Sequence, residues 1–254
     1  MSSLQIQDIT IDEAVNSSQL IIKSSGGGGS TFTNPIAIWT NAGANNQKDY
    51  AIAIRYSSGY SNQQTSAISI GYQSGQNSQG PVAISIRFLA GQSEQGPVAV
   101  AIRHLAGLNT QRNIAVAIGA SAGRDTQTTG AVAIGWLAGS GNQGEFGVAI
   151  GANAGRDTQA TSAVVIGNYA GTNYQSQFAI SIGYQAGNIT QGEYAVALVY
   201  FAGYNNQSQN TVAIGKQTGS QNQGKFGVAI GTSAGTISQA TSVVAIGYFS
   251  GFTE

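Results

Sequence analysis

Short apolar segments recur along this chain at intervals of sixteen residues. In the segment Val132–Ile134, two β-branched residues flank the small residue Ala133, and the same order of bulky, small and bulky side chains returns in almost every unit. This alternation, with a period of two, is typical of a short β-strand. Glycines at positions 135 and 139 follow the segment and indicate a tight bend after the strand.

Three residue types keep the period without one insertion. Glycine holds every sixteenth position over 43–251, isoleucine holds those over 38–246 except for Leu198, and glutamine holds those over 47–239. Sixteen residues are too few for a repeat that contains helices, and the glycines leave no helical periodicity. The unit therefore fits one coil of a β-solenoid, in which each repeat contacts only its neighbours.

We predict an all-β fold, a parallel β-solenoid or β-roll of about fourteen 16-residue coils over residues 35–254. Each strand would pair in parallel with the same strand of the next coil, about 4.8 Å away, so that identical positions stack into columns. The predicted structural columns are represented by Ile38, Gly43 and Gln47 near the start of the repeats and by Ile134, Gly139 and Gln143 in the middle. Residues 1–34 lie outside the period and are predicted to be an N-terminal attachment or tether segment, with β-type segments at 4–11 and 19–22.

Each column has an expected place in the coil. We expect the bulky residues, such as Val132 and Ile134, to fill a narrow interior, because burial of each side chain stabilises the fold by about 1.5–3 kcal/mol. Ala133 would then face outward, and its column of small residues would allow a neighbouring subunit to approach closely. The glutamine column is expected to form an amide ladder, with each side chain bonded to its copies above and below or to the backbone of the turn.

The composition limits the ligands and reactions that we expect of this chain. The chain has 36 glycines, only 8% charged residues and no net charge, so we expect neither nucleic acid binding nor membrane insertion. It has no cysteine and a single histidine, so disulfides, a metal site, a cofactor and catalytic residues are not expected. With 41% hydrophobic residues, the chain is too apolar for disorder.

The chain termini suggest where other molecules attach. The N-terminus lacks the basic and apolar regions of a secretory signal, and no apolar run is long enough to span a membrane. No polar cap follows the last coil, from Val243 to Glu254, and an uncapped parallel edge favours pairing with another strand. We therefore expect contacts with other components through residues 1–34 or through the C-terminal end.

Variable columns are where a repeat protein can hold a ligand without disturbing its fold. The second residue after the isoleucine is aromatic in four consecutive coils. Stacked rings there would form a flat strip suited to sugar rings or to another hydrophobic surface. The alternative is that the rings pack at the corner of the coil or at a seam between subunits. The candidate ring positions are Tyr56, Tyr72, Phe88 and His104.

Arginine replaces glycine directly after the isoleucine at Arg55, Arg87 and Arg103. Arg87 and Arg103 are neighbours in the predicted stack, where like charges repel unless an anion lies between them. They are therefore candidates to bind an acidic or sulfated glycan. The alternative is pairing with Asp49 or Glu94, or across a trimer axis.

The string AVAIGWLAG at 131–139, nearly repeated at 115, 147 and 211, resembles the YadA-like head repeats of trimeric autotransporter adhesins. It is also similar to repeats in phage tail fibres and in the spikes of large viruses. The resemblance covers residues 35–254 and implies a left-handed β-roll, three chains side by side and an adhesive role. The adhesin unit usually has fourteen residues, and neither heptads for a stalk nor an anchor barrel follows here.

Three functions are consistent with these patterns. The first is a structural fibre, shaft or receptor-binding protein of a phage or virus, a homotrimer that attaches to host-surface glycans and is found in the virion. A cell-surface location is the alternative. The second is a self-assembling protein of a sheath, capsid surface or crystalline layer, without a ligand. The third and weakest is a polysaccharide-processing enzyme, because no paired carboxylates are visible in the sequence.

Overall fold

The structure, a computed structural model, describes residues 20–21 and 35–251 and contains two β-sheets and no helix in these ranges. The long sheet contains β1 (Leu20–Ile21), β2 (Ile36–Ile38), β3 (Ile52–Ile54), β4 (Ile68–Ile70), β5 (Ile84–Ile86), β7 (Val100–Ile102), β9 (Val116–Ile118), β11 (Val132–Ile134), β13 (Val148–Ile150), β15 (Val164–Ile166), β17 (Ile180–Ile182), β19 (Val196–Leu198), β21 (Val212–Ile214), β23 (Val228–Ile230) and β24 (Val244–Ile246). The short sheet contains β6 (Glu94–Gln95), β8 (Thr110–Gln111), β10 (Thr126–Gln127), β12 (Asn142–Gln143), β14 (Thr158–Gln159), β16 (Asn173–Gln175), β18 (Ile189–Gln191), β20 (Asn205–Gln207) and β22 (Gln221–Gln223).

Paired strand residues of successive coils are sixteen positions apart. Val132 pairs with Val148, and Ile134 pairs with Ile150, in parallel strands β11 and β13. In the short sheet Gln127 lies opposite Gln143. The predicted all-β parallel solenoid with a sixteen-residue period is confirmed, with about thirteen turns in place of the expected fourteen coils.

Of the N-terminal segment the structure describes only β1. This strand lies within the β-type segment predicted at 19–22 and pairs antiparallel with β2, so that Leu20 faces Ile38 across the ladder. The segment predicted at 4–11, the rest of the tether and residues 252–254 lie outside the described residues.

The interior of the coil is lined by small residues, and the predicted direction of the strand side chains is wrong. Ala133 is fully buried, whereas Val132 and Ile134 on either side of it are half-buried and face outward. The other buried columns are also mostly alanine, as at Ala131 and Ala138. A sixteen-residue coil brings its two sheets so close together that methyl groups fill the space and bulkier side chains must face outward.

The glutamine column supplies the largest buried side chains. Gln111 Nε2 donates hydrogen bonds to the main-chain oxygens of Val100 and Ala115, at 2.8 and 3.1 Å, and to Gln127 Oε1 at 3.1 Å. Gln47 and Gln143 make the same side-chain bond to the next glutamine, at 3.0 and 3.1 Å. The amide ladder therefore joins neighbouring coils and pairs the main-chain oxygens that turn inward.

The glycine column is explained by this ladder. Gly139 has a φ of +50°, and a Cβ atom there would lie 2.8 Å from Oε1 of Gln143. Gly43, with a φ of +54°, has the same relation to Gln47. Glycine is thus required both by the left-handed backbone conformation and by the space that the buried amide occupies.

Candidate functional site

The turn that follows each long-sheet strand carries the candidate ligand-binding residues; we call it the first turn, residues 135–139 in the middle of the rod. Its second residue is exposed in the four coils that carry the predicted rings. Tyr56 and Tyr72 stack with ring centroids 5.3 Å apart and planes 17° apart. Tyr72 and Phe88 follow at 5.3 Å and 10°, and Phe88 and His104 at 5.2 Å and 18°. The structure therefore brings all four predicted ring positions into one continuous stack.

The first residue of this turn requires an unusual backbone conformation. This position recurs fourteen times, and glycine holds it nine times, with φ between +118° and +141°. Arg55, Arg87 and Arg103 hold the same position with φ of +93°, +92° and +102°. Non-glycine residues in such sparsely populated regions cost on the order of 1–3 kcal/mol each. The three arginines are therefore placed against the preference of the backbone.

The three arginines have no partner among the described residues. Their side chains are exposed and make neither an ion pair nor a hydrogen bond within residues 35–251. The predicted pairing of these arginines with Asp49 or Glu94 is not present there. Asp49 lies on the other turn of its coil, and Glu94 lies on the short-sheet strand β6.

Two other arginines are paired, each with the next residue in the sequence. Arg124 Nη2 lies 2.9 Å from Asp125 Oδ2, and Arg156 Nε lies 2.9 Å from Asp157 Oδ1. The hydrogen bond from each guanidinium to its aspartate raises the pKa of the arginine. These pairs lie in the two RDTQ segments of the chain, at 124–127 and 156–159. They border a shallow notch of about 290 Å³ over Gly141.

Sequence reasoning missed a second exposed column, two residues before each long-sheet strand. Val82, Val98 and Ile114 occupy it in consecutive coils with φ of +52° to +59° and are about half exposed. Phe178 and Tyr194 stack in the same column at 5.1 Å. The signal was the presence of large apolar residues at a position that serine or asparagine holds in other coils.

We also searched the described part of the chain for metal sites and for membrane-spanning helices. No group of three or more potential metal ligands occurs among residues 35–251. Within the same range no helix is long and apolar enough to cross a membrane. The exposed first turn, with its arginines and rings, is therefore the best candidate site.

Comparison with known protein families, with curated proteins and with solved structures finds no match to this chain. The resemblance to adhesin head repeats thus stays a prediction, and the function is argued below from the geometry of the coil.

Proposed function

We propose that this chain forms the shaft of a homotrimeric attachment fibre of a phage or virus, a β-roll rod that binds host-surface glycans. The observation that carries this proposal is the apolar outer face of the long sheet. In this proposal the chain assembles and binds a ligand, and it catalyses no reaction.

The outer face of the long sheet consists of two rows of isoleucine and valine. Val132 and Ile134 represent these rows, whose members are half-buried in the middle of the rod and more exposed at its ends. The missed column of Val82, Val98 and Ile114 borders the rows on one side, and the aromatic column borders them on the other. Soluble monomers rarely expose a continuous apolar surface of this extent, which supports a covered face.

The short sheet has the opposite character. Its outward positions are polar in most coils, as at Thr110, Thr126, Asn142 and Thr158. The rod is therefore amphipathic, with one face suited to water and one face suited to burial. This division supports an assembly in which the long sheets lie inside and the short sheets face the solvent.

A second copy of the chain is the partner that fits this face best. Each copy presents rows of Ile and Val with the same rise of about 4.8 Å per coil, so side chains can interdigitate in every coil. A partner without this repeat would match only locally. The number of three chains rests on the resemblance to adhesin heads, and the attachment role rests on the exposed first turn.

Light scattering on the purified chain tests the assembly. We expect a mass three times that of the single chain of 25.9 kDa. The double variant Val116→Lys/Val148→Lys places two charges on the apolar face without entering the interior, and it should yield a folded single chain. The matched variant Thr126→Lys/Thr158→Lys places the same charges on the short sheet and should remain trimeric.

Three results would overturn parts of this proposal. A wild-type mass of one chain would remove the trimer, and equal behaviour of the two variants would show that the apolar face is not the interface. Filaments that lengthen with protein concentration in electron micrographs would favour a sheath or crystalline layer over a discrete fibre.

A further inference from the structure

The arginines of the first turn lie beside the stacked rings on one side of the rod. We call this group the arginine edge; it consists of Arg55, Arg87 and Arg103 together with Tyr56, Tyr72, Phe88 and His104. It spans four consecutive coils. Arg87 and Arg103 are one coil apart, about 4.8 Å along the axis, and Arg55 is two coils from Arg87, about 10 Å.

The fold gives no reason for arginine at these positions. At Gly71, between Arg55 and Arg87, a Cβ atom would lie 2.5 Å from the main-chain oxygen of Arg87. The arginine coils have a lower φ at this position, near +92° to +102°, which is still unfavourable for a residue with a side chain. Trp39 and Val199 hold the same position with similar φ, so the strain alone does not select arginine. The clustering of three arginines within four coils, without a compensating contact among the described residues, points to an external ligand.

The charge of the edge has one sign. No aspartate or glutamate occurs in the first turn of any coil. Arg87 and Arg103 therefore repel each other across one coil, since no carboxylate lies between them. An anionic ligand would remove this repulsion and pair guanidinium groups that now face solvent.

The ring stack also favours anionic groups. The rings are nearly parallel and 5.2–5.3 Å apart, so their faces are directed towards one another and their edges point outward. The edge of an aromatic ring is its positive region, and the hydroxyl groups of Tyr56 and Tyr72 can donate hydrogen bonds. Bases of a single-stranded nucleic acid need free ring faces, which this arrangement does not offer between its members.

We propose that the arginine edge binds a linear polyanionic polysaccharide, with sulfate or carboxylate groups repeated along the chain, running parallel to the rod axis. This inference rests on the attachment role proposed above and names the class of glycan. The regular rise of the coils presents at least one cationic or hydroxyl-bearing side chain per step, which suits a ligand with its own repeat.

Titration of the intact chain tests the proposal. The ligands are a sulfated polysaccharide such as heparin and its desulfated form, and each is titrated at two salt concentrations. We expect binding to the sulfated form that weakens as salt rises. The variant Arg55→Gly/Arg87→Gly/Arg103→Gly should lose at least tenfold in affinity. Because glycine holds this position in nine other coils, the variant should melt at the same or a higher temperature than the wild type.

A charge-matched variant provides the control. Arg112→Gly, Arg124→Ser and Arg156→Thr each introduce a residue that another coil has at the same position, and together they should change the affinity less than twofold. Equal loss in both variants would show general charge attraction and overturn the proposal. Tighter binding of single-stranded DNA than of the polysaccharide would overturn it as well.

Light scattering on the same samples separates this inference from the proposed function. A single chain that binds the sulfated polysaccharide would overturn the trimer and leave the arginine edge supported. A trimer that binds only neutral glycans would keep the attachment role and overturn the polyanionic ligand.

Discussion

Glutamine is the residue that makes so thin a coil stable. A buried amide can pair main-chain oxygens and its own neighbours at once, whereas each buried polar group without a partner costs about 1–3 kcal/mol. The serine residues Ser69 and Ser85 join the network through hydrogen bonds of 2.7 Å to Gln79 and Gln95. Serine is therefore accepted at an interior position otherwise held by alanine.

The ladder is interrupted where Val165 replaces alanine. Gln159 makes no hydrogen bond to the side chain of Gln175, whose Nε2 donates instead to the main-chain oxygens of Asn173 and Gly187, at 3.4 and 2.8 Å. Beside Gly171, Val165 Cγ2 and Gln175 Cδ crowd the same space, since each lies 2.8 Å from the point where a Cβ of that glycine would be. A single interior side chain thus displaces its glutamine.

Val165→Ala should consequently be far milder than an ordinary truncation in a core. The lost burial of about 1.6 kcal/mol is offset by a restored hydrogen bond worth about 1 kcal/mol, so the free energy of unfolding should change by less than about 1 kcal/mol. The reverse change, Ala133→Val, should cost about 1–3 kcal/mol through overpacking. Urea unfolding of both variants measures the difference; a larger loss for Val165→Ala than for Ala133→Val would contradict this account.

The stacking of the aromatic residues was predictable from the sixteen-residue period, but the backbone strain at the arginines was not. Once Tyr56, Tyr72, Phe88 and His104 were known to be sixteen residues apart, their stacking followed from the parallel strands. The backbone conformation of Arg87 could not be read in this way, because φ depends on the shape of the turn. The replacement of a recurring glycine by arginine was the available signal.

Apart from β1, the strands of the long sheet are only three residues long, so side-chain volume decides which residues face the interior. The pattern of Val132, Ala133 and Ile134 fits either orientation, since alternation alone does not say which face is inside. The expectation that bulky residues fill the core failed because the coil is too thin. The recurrence of alanine in the columns of Ala131 and Ala138 was the available sequence signal of a thin interior.

Because every coil has the same register, we expect that one whole coil can be deleted from the chain without loss of the fold. Deletion of residues 131–146 joins two identical positions of the repeat and should leave a folded rod, with a loss of about 1–2.5 kcal/mol in the free energy of unfolding. Deletion of Leu137 alone removes fewer atoms and should cost more, because it shifts Gln143 out of the ladder. Denaturant unfolding followed by circular dichroism compares the two, and equal losses would argue against registered columns.

At the scale of the whole molecule, the low content of charged residues and the apolar face of the long sheet both bear on how the rod stays in solution. Like charges in one column would repel every 4.8 Å or so, and the rod instead exposes mostly amides and hydroxyls on its short sheet. The 8% of charged residues therefore follows from the architecture. Because few charges are available to oppose association, we expect the solubility of the rod to depend on covering the long sheet, as the proposed trimer would do.

The stability of the rod should for this reason depend on protein concentration. If three chains fold and assemble together, a tenfold rise in concentration stabilises each trimer by about 2.8 kcal/mol, and the melting temperature rises with it. The variant Val116→Lys/Val148→Lys should melt at a lower temperature that no longer depends on concentration, while Thr126→Lys/Thr158→Lys should behave as the wild type. Calorimetry over a hundredfold range of concentration measures this dependence. A wild-type melting temperature that stays constant over that range would show that the long sheet is stable without a covering copy.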